Sequence, residues 1–86
     1  MITGVNVHLD QAGADYHIQI EDLEGTHELE ARVYAGGRIL FHKRMSYHEA
    51  VEGLVNPVHI KTAVEGEQAK LLALVKAAIQ RGRIVA

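Results

Sequence analysis

The sequence predicts an α+β fold: a four-stranded antiparallel meander followed by a short helix and a longer C-terminal helix packed on one sheet face. Three observations carry this. Apolar and polar residues alternate through the first half of the 86-residue chain, which is the period of half-buried strands. Glycine-bearing turns cut that half into four runs. After Asn56-Pro57 the spacing changes toward three and four residues, the period of a helix.

The elements follow in order. Val5, Val7 and Leu9 alternate with Asn6, His8 and Asp10 in the first strand, and Gln11 to Asp15 turns about Gly13. Tyr16, Ile18 and Ile20 make the inner side of the second strand. Glu24-Gly25 reads as a tight two-residue hairpin. Leu29, Ala31 and Val33 line one face of the third strand, with Glu28, Glu30, Arg32 and Tyr34 on the other. The fourth strand runs from about Arg38 to Met45.

Register decides which residues of the fourth strand are inside, because a slip of one residue exchanges its faces. A two-residue Gly36-Gly37 loop would pair Val33 with Leu40 and bury His42. A three-residue loop, Ala35 to Gly37, would pair Val33 with Ile39 and Ala31 with Phe41, closing with Gly37 in a G1 bulge. The larger apolar groups favour the second register. It sets Glu28 opposite Arg44 and Glu30 opposite His42, and turns Leu40 outward.

Ser46-Tyr47-His48-Glu49 has the spacing of a capping box ahead of a short helix. Asn56 then suits an N-cap and Pro57 the first helical position. Val58 to Val64 alternates like a strand, yet Ile60 and Val64 also fit the helical stripe of Leu71, Leu74 and Ala78. We read a helix from Pro57 to about Arg81, ended by Gly82, with Ile84 as the apolar contact beyond the cap. Leu72, Val75 and Ile79 widen its apolar arc to about half the circumference, more than the ~100° a surface helix needs. That flank is a candidate contact face.

Composition narrows the function. There is no Cys, so disulfides, thiolate zinc sites and Cys nucleophiles are excluded. The formal charge is −2, which makes nucleic acid an improbable partner. The first ten residues lack the charge and apolar run of a signal peptide, and Leu71 to Val75 is the longest apolar run, far short of a span. A cytoplasmic, membrane-independent protein is the expectation. The one serine, Ser46, is used as a cap, the Gly36-Gly37 turn lacks the features of a phosphate loop, and no cofactor motif is present. We therefore expect no enzyme.

Six His are the compositional oddity. If Leu9 faces Tyr16, His8 faces His17 on the outer sheet face, and Glu30 is the nearest third donor for a divalent metal. No known ligand spacing supports that site, so exposed imidazoles are the plainer reading. Acid should loosen the His8–His17 corner by repulsion. The leading expectation is a protein-interaction or assembly module, a homodimer or a binder of another protein. Its contact would be the helix flank (Leu72, Val75, Ile79) or the sheet face around Tyr34 and Leu40. The alternative is a small His-rich metal- or ligand-binding domain.

Overall fold

A computed structural model describes residues 4–86. Four strands, β1 (Val5–Gln11), β2 (Ala14–Leu23), β3 (Glu28–Ala35) and β4 (Arg38–Ser46), form one antiparallel sheet in sequential order. Two helices follow, α1 (His48–Val51) and α2 (Pro57–Gln80). Helix α2 lies against β1, β2 and β3. The expected α+β meander with a helical roof is the observed fold.

The core is the alternating set read from the strands. Ile18, Ile20, Leu29, Ala31 and Val33 are fully buried beneath Val64, Leu71, Val75 and Ile79 of α2. Tyr16, Tyr47, Val51 and Ile84 close its margins. Burial of a large apolar side chain contributes roughly 1.5–3 kcal/mol. A chain this short depends on those few contacts.

Each turn follows from its backbone demands. Gln11 pairs with Ala14, so Ala12 and Gly13 form a two-residue turn, both with positive φ (52° and 81°). That is the primed turn whose twist suits a hairpin. The second connection is longer than the two residues expected: Leu23 pairs with Glu28, leaving Glu24 to His27 as a four-residue loop. Thr26 donates from both its backbone N–H and its hydroxyl to the Leu23 carbonyl. His27 sits at φ 54°.

The third hairpin corrects both registers considered from sequence. Ala35 pairs with Arg38, so the loop is the two-residue Gly36-Gly37, with both glycines at positive φ. Tyr34 then faces Ile39, but Val33 faces Phe41. Leu40 is the extra residue of a bulge inside the strand. The glycines supply a primed turn without strain, and the bulge resets the alternation so that Phe41 still reaches the inner face. Consequently Glu30 faces Arg44, and Arg32 faces His42. Ile39 lies on the outside, 49% exposed. Leu40 packs half-buried against the core instead of standing on the outer face.

The helices keep their expected boundaries with two changes. Helix α1 is a single turn, and Leu54 and Val55 lie beyond it. Ser46 accepts from the His48 N–H through its hydroxyl, but the N-cap residue is Tyr47, whose side chain makes no cap bond. Val58 to Val64 is helical. Asn56 caps α2 by accepting from the Val58 N–H at 2.9 Å, and Pro57 follows. The far end is a Schellman closure: Arg83 N–H donates to the Ala78 carbonyl and Gly82 N–H to that of Ile79. Ile84 is buried just beyond, as its spacing implied. No helix among the described residues is long and apolar enough to cross a membrane.

Candidate functional site

The roof does not cover the whole sheet. Strand β4 is an edge, and it contains no fully buried residue. Its inner residues Phe41 and Lys43 border a groove of about 90 Å³ with Leu71, Leu74, Ala78 and Ile84. Leu74 stands 63% exposed on the α2 side of that groove. The cause is rotational. The buried stripe of α2 is Val64, Gln68, Leu71, Val75 and Ile79, so Leu74 falls on the side facing β4.

This changes the assignments on the helix. Val75 and Ile79, expected on a free flank, are 3% and 2% exposed and belong to the core. Leu72 is half-buried against the same core. Leu74, expected at the centre of the stripe, is the exposed member. A sequence stripe this wide does not fix which side faces the sheet, since Leu71, Leu72, Leu74 and Val75 are of similar apolarity.

Apart from Ile39, the outer sheet face is polar, and its centre is an ion-pair cluster. Glu30 is only 6% exposed. Arg32 Nη2 lies 2.6 Å from one of its oxygens and Arg44 Nε 3.1 Å from the other. The hydrogen bond from Arg44, with the charge and hydrogen bond of Arg32, outweighs desolvation and holds the Glu30 carboxyl below its ordinary 4.5. The Tyr34 hydroxyl and the Glu30 charge in turn raise Arg32. Both arginines therefore serve to neutralise one sheltered carboxylate.

His8 does face His17, as expected. Their rings stack at 4.6 Å with an interplanar angle of 4°. His8 Nδ1 donates to the Asp15 carboxylate at 3.1 Å, and His17 Nε2 to Asn6 Oδ1 at 3.0 Å. Tyr34 tilts against His17 at 6.1 Å. Parallel stacked rings send their nitrogen lone pairs in parallel planes, so they do not converge on one ion. Glu30 is held by arginines and is not a third ligand. Among the described residues no group of three or more His, Asp or Glu is arranged to hold a metal.

A second imidazole pair escapes sequence reading. His27, in the β2–β3 loop, and His48, opening α1, approach with Nδ1 atoms 3.4 Å apart. They lie 21 residues apart, and only the hairpin joins them. Tyr47 N–H donates to the His27 carbonyl at 2.8 Å. The Tyr47 ring packs beside His27 at 5.7 Å, and its hydroxyl donates to Asp22 at 2.6 Å. Burial, with the Asp22 bond and charge, pushes the Tyr47 phenol up to about 12.

The chain matches no protein family, no curated protein and no solved structure.

Proposed function

We propose that this protein is a non-catalytic interaction module that assembles with a second copy of itself through the β4–α2 groove. The observation that carries this is the roof stopping short of β4, which leaves Leu74 exposed and Phe41 only half-buried beside a free edge strand. An apolar groove at an uncovered sheet margin gains free energy when a partner excludes its water. A second copy suits it because a small single core benefits from added buried area, and the small formal charge of −2 imposes little mutual repulsion. A two-fold pairing would need roughly 800 Å² from each copy. The groove can seed such a contact, with the β4 edge at its border.

The alternatives to this face are less favoured by the geometry. Ile79 and Leu40 are engaged in the core, Leu72 is half-buried against it, Val75 forms part of this groove itself, and the outer face beside Tyr34 is occupied by the Glu30–Arg32–Arg44 ion pairs. The discriminating substitution is Leu74→Glu, which alters an exposed side chain. Sedimentation velocity should give a dimer for the native chain and a monomer for Leu74→Glu, with both equally folded by circular dichroism. A native chain that stays monomeric at high concentration removes the self-assembly reading. A dimer that survives Leu74→Glu removes this groove as its seat.

A further inference from the structure

We infer that the second copy lies antiparallel across α2, with Leu74 meeting its own mate and Glu67 of each chain pairing with Arg81 of the other. This rests on the self-assembly reading above and adds its orientation and register. Glu67, Leu74 and Arg81 recur at a spacing of seven residues. Seven residues are about 700° of helix, so each member is turned only about 20° from the one before. The three form one stripe, with successive members about 10 Å apart along the axis. Arg81 is the C-cap, and its N–H still donates to the Ala77 carbonyl, so it keeps the helical position. The stripe runs beside β4: Leu74 borders Phe41 and Lys43, and Glu67 lines a hollow with Ser46 and Tyr47 further along the strand. It lies about 100° round the helix from the middle of the buried set Val64, Gln68, Leu71, Val75 and Ile79. Packing on the sheet therefore leaves it uncovered.

Charge fixes the direction. After Leu74 the chain carries Lys76, Arg81 and Arg83 and no acidic residue, while both acidic residues of α2, Glu65 and Glu67, precede it. A parallel pairing would set Arg81 against Arg81 and Glu67 against Glu67. An antiparallel pairing centred on Leu74 sets each Arg81 against a Glu67 and brings the two Leu74 side chains together at the two-fold axis. Opposite charges placed this way fix register and reject the alternative more than they add affinity. The groups are available for it. Arg81 is exposed and makes no ion pair among the described residues. Glu67 holds Lys70 at 3.2 Å, a same-helix pair whose lysine is largely exposed and which contributes little. In the same register Lys70 stands opposite Ala78, whose small side chain leaves room for the lysine stem.

The test is charge reversal on the full chain, read by sedimentation velocity beside Leu74→Glu. Glu67→Arg and Arg81→Glu should each raise the dimer dissociation constant about tenfold or more, because each turns two attractive pairs into two repulsive ones. Mixed together, the two variants should form a heterodimer, since every pair across it is again of opposite charge. The double variant Glu67→Arg, Arg81→Glu should dimerise within about threefold of the native chain. Damage to the fold of one chain would not produce that rescue. A dimer that Leu74→Glu abolishes but both reversals leave intact overturns the antiparallel pairing and keeps the groove. Failure of both the mixture and the double variant to restore association overturns it as well. If a reversed chain does not fold, mild oxidation gives the readout instead, because the sequence holds no cysteine of its own. Leu74→Cys should then yield a covalent dimer, whereas Glu67→Cys, about 20 Å from its mate, should not. Ready cross-linking of Glu67→Cys overturns the antiparallel register. A native chain that stays monomeric removes this inference together with the self-assembly reading.

Discussion

At the scale of single residues, two titratable groups make the fold sensitive at opposite ends of the pH range. Glu30 is held below its ordinary value by Arg44 and Arg32. A depressed carboxyl contributes stability above its unfolded value and loses it as pH falls through the folded one. Thermal melts should show Glu30→Gln less stable than the native chain at neutral pH, with the gap closing as pH drops below about 4.5. A gap that stays constant into acid would refute the assignment. Tyr47 has the opposite sign. Its phenol is raised to about 12, so its contribution is intact below the usual value near 10 and fades between there and about 12. Tyr47→Phe removes the bond to Asp22 and should cost about 1.5–3 kcal/mol near neutrality, the value of a bond to a charged group. Its stability should then lack the native chain's fall across that alkaline window. The sequence placed Glu30 on the outer face and His8 opposite His17. It did not announce that Glu30 is sheltered, because that depends on two long arginine side chains folding over it. Nor did it announce the His27–His48 approach, which rests on a four-residue loop and a left-handed backbone.

At the scale of elements, periodicity carried the strands and α2, while registers and faces needed three dimensions. Alternation in Val5 to Leu9 and Tyr16 to Ile20 assigns inner and outer residues directly, and the structure follows it. Strand β4 is different, since the turn and the alternation conflict. Gly36-Gly37 favours a two-residue hairpin, which alone would put Phe41 outside. The chain resolves this by bulging at Leu40, a third solution that neither simple register contains. Helix ends were legible because their chemistry is local. Asn56 satisfies an orphan N–H, and Gly82 takes the left-handed turn at φ 74°. Asn56→Ala should cost ~1 kcal/mol in urea denaturation. Gly82→Ala should cost a similar ~1 kcal/mol, because a side chain is penalised in that conformation. An unchanged midpoint for Asn56→Ala would show that the cap bond does not hold the start of α2.

At the scale of the whole molecule, the protein is a two-layer slab of 45 × 21 × 16 Å with a radius of gyration of 13.8 Å. A compact chain of this length would have roughly 12 Å. The difference reflects a long sheet and a 24-residue helix with little between them beyond one layer of side chains. Such a slab is only as cohesive as its corners, and the C-terminal tail fastens one of them. Ile84 is 7% exposed, and Ala86 N–H donates to the buried Tyr16 hydroxyl at 3.0 Å. The end of α2 is thereby tied to the start of β2. Ile84 also lines the β4–α2 groove, so the same residue serves cohesion and the proposed contact. Truncation after Arg83 should remove about 2–4.5 kcal/mol: roughly 1.5–3 from Ile84 burial and 0.5–1.5 from the hydrogen bond. The total stability expected for 86 residues is only about 4–13 kcal/mol. The truncated chain should therefore unfold at clearly lower urea, and the proposed dimer should weaken in parallel. If the urea midpoint holds while the dimer is lost, the tail belongs to the interface and not to the fold; if neither changes, Ile84 fastens nothing.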